Sequence, residues 1–260
     1  MGALDGKVVV ITGASRGLGE AIATGFAGEG ASLVLAARTA EDLQRVAKEC
    51  LAAGAASATV VQTDITDEEQ VRRLVEGAIE HDGRIDVFVA NAATSYGMLT
   101  DKHYRELHTW DLDIAKQIFD VNVFGTWLCM KYALPAMKDG SSFIVVGSET
   151  GSALRPGSGF YAVSKATTTT LARLAAGEVA ASGVRVNEVS PGGMVDTQLF
   201  GPNGMPDFLK QAHPPLPADA IVPAALWLAT EASAGVHGAF VTGRKFNEAG
   251  PEAIKAELLA

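Results

Sequence analysis

Tyr161 and Lys165, in the stretch YAVSK, stand four positions apart with only small residues between them. On a helix this spacing puts both side chains on one face, a turn apart. A phenol ionises at about pH 10, too high for an efficient base at neutral pH, and a neighbouring ammonium favours the phenolate. Such a pair could pass a proton to or from the oxygen of a carbonyl or an alcohol. Ser148, in GSETG, is a hydroxyl that could hold that oxygen in line and stabilise charge developing on it. Pairs of this kind also arise by chance, so the reading depends on the elements that would position them.

Those elements alternate. Short β-branched runs at 7–12, 31–36, 58–63, 85–90, 142–147 and 184–190 read as buried strands. Between them, Ala-rich amphipathic stretches over 17–29, 40–53, 67–81, 106–138 and 160–182 read as helices, with Pro135 kinking or ending the fourth. A last helix near 217–231 and a final strand near 238–246 complete the series. Strand–helix alternation predicts an α/β fold, a parallel sheet with helices on both faces, as one domain over 1–260. The Gly- and Pro-dense segment near 194–219 is expected to be a long loop over the substrate side. Ser148 then falls at a strand's carboxyl end, the edge where open α/β sheets bind ligands. Asn122, mid-helix in DVNVFGTW, is a residue a helix mildly disfavours, so its amide needs a partner.

The first strand runs into TGASRGLG and then a helix. Gly13, Gly17 and Gly19, with Thr12 and Ser15 among them, suit a turn that lets backbone approach a pyrophosphate at a helix N-terminus. That is a dinucleotide site. The second strand ends Ala36, Ala37, Arg38, Thr39, without the carboxylate that would bond the ribose hydroxyls of NAD. Arg38 there and Arg16 in the glycine turn suit a 2′-phosphate instead, so NADP is favoured and NAD is less expected. Glu41 and Asp42 read as the start of the next helix. Asp64, at the third strand's end, could accept from an adenine amino group, and Thr66 or Asp67 would cap the helix after it.

The 260 residues carry a formal net charge of −9 and a pI near 5.0, which argues against nucleic acid or an anionic membrane as partner. No apolar run reaches the length of a membrane span, and the start lacks a secretory signal. Cys50 and Cys129 form no CxxC, which fits a reduced, cytoplasmic protein. His81, His103, His108, His213 and His237 show no metal-binding spacing, so no metal is expected.

TGASRGLG, TDITD, ANAA, DVNVFGTW, GSETG, YAVSK, RVNEVSPGG and VTGRKFNEAG occur in the order and near the spacing of the short-chain dehydrogenase/reductase family, which the chain resembles over nearly its whole length. The resemblance implies a seven-stranded, doubly wound (Rossmann) sheet. It makes Tyr161 the acid/base, Ser148 the substrate orienter, Lys165 a ribose contact and pKa tuner, and Asn122 the holder of a water in a proton relay. By the same likeness Leu18, Ile65, Asn91, Ala92, Ala93, Pro191, Gly192 and Thr197 join the cofactor contacts. Two departures stand out. ANAA replaces the family's N-N-A-G, and PGGMVDT carries one residue more than usual before Thr197. The family's habit implies a homo-oligomer, a tetramer or dimer, built on the helices over 106–138 and 160–182. Tyr96, Met98, Tyr104 and Trp110 would shape a substrate wall or pack a loop. The implied activity is NADP(H)-dependent interconversion of a carbonyl and an alcohol, acting on a small molecule. A reductase of carrier-bound 3-oxoacyl chains would use Lys102, His103, Arg105, Arg155 and Lys210 to meet an acidic partner. A regulator that senses nucleotide without catalysis would have lost part of the Ser–Tyr–Lys–Asn set, which is whole here.

Overall fold

The protein is described by a computed structural model over residues 1–100, 106–153 and 156–260. The strands are β1 (Val8–Thr12), β2 (Ser32–Ala37), β3 (Ser57–Gln62), β4 (Val87–Ala90), β5 (Ser142–Val146), β6 (Arg185–Ser190) and β7 (Phe240–Thr242). The helices of the first half are α1 (Gly17–Ala27), α2 (Ala40–Ala53), α3 (Glu68–Asp82), α4 (Tyr96–Thr100), α5 (Leu112–Phe119) and α6 (Thr126–Ala136). Those of the second are α7 (Thr150–Ala153), α8 (Gly159–Val179), α9 (Asp207–Ala212), α10 (Val222–Ala229), α11 (Gly243–Ala249) and α12 (Pro251–Leu259).

The seven strands form one sheet in the order β3-β2-β1-β4-β5-β6-β7, with every neighbouring pair parallel. This is the Rossmann architecture. Alternate residues of each strand serve opposite faces. Val9 and Ile11 of β1 pack with Ile22 and Phe26 of α1 and Trp227 of α10. Val10, between them, joins Leu74 of α3, Cys129 of α6 and Ala176 of α8 on the other side. Phe88 of β4 and Phe143 of β5 stack in that second layer, ring centroids 5.1 Å apart. Both cysteines are buried and free. No helix among the described residues is long and apolar enough to cross a membrane.

Local chemistry explains most boundaries. Asp67 caps α3, one carboxylate oxygen accepting from the Gln70 N–H at 3.1 Å and the other from the Gln70 side-chain amide at 2.8 Å. The predicted helix over 106–138 is broken: a 3₁₀ turn at Leu107–Thr109, then α5, a π-helical turn at Asp120–Gly125, and α6. The π turn inserts an extra residue, and the tertiary bonds of Asn122 hold it. Pro135 falls in the last turn of α6, which ends at Ala136. The expected final strand shortens to Phe240–Thr242, because its neighbour β6 runs into Pro191, which has no N–H to continue a ladder. The chain turns into α11 at Gly243 instead, where the Arg244 N–H bonds the Pro191 carbonyl at 3.1 Å. Segment 194–219 is not wholly irregular; it carries a 3₁₀ turn at Gln198–Phe200 and the short α9.

Phe88→Ala should lower unfolding stability by about 3–5 kcal/mol, since it empties a fully buried, stacked ring site. Urea denaturation followed by circular dichroism measures it; a loss under about 1 kcal/mol would show that the layer collapses to fill the space.

Candidate active site

The order of strands reverses between β1 and β4, so their carboxyl ends part and open a crevice. Side chains satisfy the backbone groups released there. The Thr12 hydroxyl accepts from the N–H of Asn91 at 3.1 Å and of Ala92 at 3.2 Å. The Asn91 amide donates to the carbonyls of Thr12 at 2.9 Å and Gly13 at 3.1 Å. From the other side, the Ala14 N–H bonds the Ala36 carbonyl at 3.1 Å. Gly13 sits at φ +64°, and a Cβ there would lie 2.8 Å from the Ala92 Cα. Gly19 is buried behind the turn, packed on the Gly13 carbonyl.

A cleft of about 720 Å³ starts at this turn and runs to α8. Gly13, Ser15, Arg16, Gly17 and Leu18 line one end. Arg38, Thr39, Asp64 and Ile65 line the rim beyond β2 and β3. Asn91, Ala92 and Ala93 form the floor, Tyr161 and Lys165 the far wall, and Thr197 lines the cleft beside Gly17. Arg16 and Arg38 are both exposed there, and no carboxylate stands at the end of β2. Glu41 and Asp42 lie in the first turn of α2, as the sequence suggests. One Asp64 oxygen accepts from the Thr66 N–H at 2.9 Å and hydroxyl at 2.8 Å. An open glycine turn at a helix N-terminus and a long cleft fit a dinucleotide, and the exposed guanidinium groups of Arg38 and of Arg16, the latter bonded to Gln198, stand at its rim.

Tyr161 and Lys165 lie in the first half of α8, and Ser148 follows β5. The Ser148 hydroxyl neighbours the Tyr161 phenol, whose ionised form it favours, and accepts from the Thr150 N–H at 3.2 Å. Lys165 is buried, with Nζ 2.8 Å from the Val146 carbonyl and 6.0 Å from the centroid of the Tyr161 ring. Burial pushes the phenol up to about 12, and Ser148 opposes it. Burial pulls the lysine down to about 8, opposed by the charge of Glu188. From protein groups alone, then, the lysine gives up its proton before the phenol does. A lysine that is neutral when the phenol titrates cannot help it, so the pair needs further positive or negative charges around it.

Asn122 lies outside the cleft lining. Its Oδ1 accepts from the Thr94 N–H at 2.8 Å, and its two amide protons go to the Thr94 carbonyl at 2.9 Å and Ser164 Oγ at 3.0 Å. Only the second lone pair of Oδ1 is left for a water. Pro191 and Gly192 pack against Arg244 at the start of α11 and do not line the cleft. Thr197 packs against Gly17, 3.3 Å from where a Cβ there would stand, and caps the 3₁₀ turn after it. That turn closes onto the glycine loop: Arg16 bonds Gln198, and the Ser95 hydroxyl bonds the Leu199 carbonyl.

Tyr96 and Trp110 form an aromatic cluster beside the N-terminus of α8, their rings tilted by 51° with centroids 4.6 Å apart, and Trp110 continues edge-on to Phe160 at 5.3 Å. Tyr104, Lys102, His103, Arg105 and Arg155 lie outside the described residues, as does the side chain of Met98. Lys210 pairs with Asp196 at 2.6 Å. Sequence reasoning missed two groups. Arg45 reaches from α2 to the Ser15 carbonyl at 3.1 Å and to Glu20 at 2.7 Å, bracing the glycine turn. Glu188 is a buried carboxylate in β6, and a charge inside an otherwise buried strand was the available signal.

Comparison with known proteins agrees with this geometry. A sequence model of the short chain dehydrogenase family matches residues 7–205. An uncharacterized oxidoreductase of Methylorubrum extorquens is 35% identical over 75% of this chain and 76% of its own. An uncharacterized NAD-dependent oxidoreductase of Mycobacterium tuberculosis is 32% identical, covering 91% of this chain and 94% of its own. Carveol dehydrogenase from Mycobacterium avium, solved in complex with NAD, superposes with a TM-score of 0.82 at 28% identity, covering 93% and 97% of the two chains. A short chain dehydrogenase from Burkholderia cenocepacia, solved in complex with NADP, gives 0.82 at 26% identity over 92% and 97%. With the matched motifs, the parallel sheet and its cleft all of one kind, the chain belongs to the short-chain dehydrogenase/reductase family.

Proposed function

We propose that the protein is an NADP(H)-dependent oxidoreductase acting on a carbonyl/secondary alcohol pair, with ketone or aldehyde reduction the favoured direction. The observation that carries this is the Tyr161 phenol, with Lys165 one turn on and Nζ 6.0 Å from its ring, at the wall of a cleft that begins at the glycine turn, with Ser148 beside it. The cofactor, when bound, supplies or takes up the hydride. Its pyrophosphate belongs on the turn from Gly13 to Gly19, and a 2′-phosphate belongs between Arg16 and Arg38. Known relatives include NAD and NADP binders, so these two arginines support NADP.

Each side chain has a distinct part. Ser148 donates to the substrate oxygen and aligns the carbonyl. Tyr161 gives its phenolic proton to that oxygen as the carbonyl carbon is reduced, and takes it back in alcohol oxidation. Lys165 holds a ribose hydroxyl and lends positive charge to the phenolate. Asn122 fixes the segment at Thr94 against α8 and offers its remaining lone pair to a relay water. Exposed apolar residues along α5 to α6, Leu112, Phe124 and Trp127, support a homo-oligomer, a dimer or tetramer.

Tyr161→Phe should lower turnover with NADPH about 10²- to 10⁴-fold and leave NADPH affinity nearly unchanged. The check is loss of reduced-nicotinamide absorbance across a panel of ketones and aldehydes; an active Phe variant would remove Tyr161 from the chemistry. Arg38→Asp should cut kcat/KM for NADPH about 10- to 100-fold and spare NADH. A native enzyme that prefers NADH would overturn the NADP assignment and leave Tyr161 in place. Multi-angle light scattering should give a mass above one chain, and a monomer at assay concentration would end the oligomer reading.

A further inference from the structure

Every residue of β6 is buried, yet its sequence, RVNEVS, places a carboxylate in the sheet. Of its other polar members, the Ser190 hydroxyl is buried with no partner among the described residues, while Arg185 and Asn187 spend their side chains mostly on backbone, Arg185 also bonding Ser233. Arg185 donates to the carbonyls of Leu228 at 3.0 Å and Thr230 at 3.1 Å. Asn187 donates to Val236 at 3.0 Å and accepts from the Ala239 N–H at 3.0 Å. Glu188 differs: its carboxylate turns to the α8 side, into the space beside Lys165.

Two contacts define that space. Glu188 Oε1 lies 3.0 Å from the Thr169 hydroxyl, one turn along α8 from Lys165. A Cβ built on Gly147 would stand 1.7 Å from Glu188 Oε1, 2.4 Å from its Cδ and 2.6 Å from its Cγ. Those three nearest atoms are all Glu188 side chain, so Gly147 is the slot into which the carboxylate fits. Gly147 separates Val146, whose carbonyl receives Lys165 Nζ, from Ser148, the neighbour of the Tyr161 phenol. The carboxylate is therefore wedged among the anchors of all three catalytic side chains. From α8 it faces the charges of Lys165 and Arg173, and Arg173 is itself exposed. Its strand neighbours are apolar: Val145 on β5 and Phe240 on β7.

Taking the oxidoreductase reading above as its basis, we propose that Glu188 is a positioning residue for the Tyr161–Lys165 pair, its buried carboxylate being the counter-charge that keeps Lys165 an ammonium beside the phenol. Packing does not account for it, because an apolar residue would fill a buried strand position without a desolvation cost. Its effect on Lys165 does. Burial holds the lysine at about 8 even with Glu188 opposing. Burial raises Glu188 to about 6, with Thr169 and then Lys165 pulling it back, so it is ionised at neutral pH. Both groups are thus charged between these values. Without the carboxylate, the ammonium would lose its proton earlier and lend the phenolate less at neutral pH.

Glu188→Gln keeps the shape and the Thr169 contact and removes the charge. The Lys165 side-chain NMR signal, titrated on the protein without substrate, should show its midpoint falling by about one unit. In alcohol oxidation the acid limb of the kcat/KM profile should move up by about one unit, with kcat falling about tenfold and KM for the alcohol little changed. The sign is diagnostic, since a direct effect of the lost negative charge on the phenol would move that limb down. Thr169→Val is the second variant, for the case where the glutamine does not fold. It leaves Glu188 more protonated and should shift Lys165 the same way by a smaller amount. An unmoved Lys165 midpoint in a folded variant overturns the counter-charge. A midpoint that falls while the oxidation profile stays put overturns the positioning role. If the native protein binds no NADP(H), it is the oxidoreductase reading that fails, and the lysine titration still decides whether the counter-charge exists.

Discussion

The cleft depends on a small set of hydrogen bonds made where β1 and β4 separate. When two parallel strands diverge, their terminal N–H and C=O groups lose partners, and buried groups of that kind must find others. Thr12 and Asn91 supply them, each using its side chain on the other strand's backbone or on the glycine turn. The crevice is held open without exposing unsatisfied backbone. Arg45 braces the same turn from α2, so it is fixed from three elements before any ligand arrives. That rigidity gives a helix N-terminus its value as an anion site, because little ordering is left to be done on binding.

Tyr161, Lys165 and Glu188 pull in the opposite direction. Each is an ionisable group placed where burial penalises its charge. For Lys165 the folded value, about 8, lies below its ordinary 10.5, so the fold gains stability as pH rises through that interval. For Glu188 the folded value, about 6, lies above its ordinary 4.5, so the fold loses stability as pH rises through that one. The window from about 6 to 8 is where both carry charge and both costs are met in full. It is also the window in which the ammonium can serve the phenol. Function and conformational stability are therefore set against each other in this corner.

How much of this was legible in the sequence follows from the range of each interaction. Strand and helix identity came from period-2 and period-3.6 patterns, and α2 occupies the very residues, 40–53, that its pattern indicated. YAVSK could be read as one helix face, and TGASRGLG as a turn into a helix, since both are local. The π turn at Asp120–Gly125 could not, because it depends on Asn122 finding Thr94, twenty-eight positions earlier. Arg45 had a visible partner in Glu49 at i+4, while its bonds to Ser15 and Glu20 needed the fold. Likewise Glu188 was visible only as a charge in a buried strand, with Gly147 and Thr169 supplied by tertiary contact. The short β7 shows the same limit: its length is set by a proline in its neighbour.

The Thr12–Asn91 link also bears on how the chain reaches this structure. The two residues are 79 positions apart, and between β1 and β4 lie two strands and three helices that can pair or pack with near neighbours. Closing so long a loop is entropically uphill until β2 and β3 have already condensed beside β1, since each must be ordered before the crossover to β4 repays it. The dinucleotide cradle thus depends on that crossover being closed. In any state in which β4 has not paired, β1 is an open sheet edge, the kind of surface that mispairs with another chain.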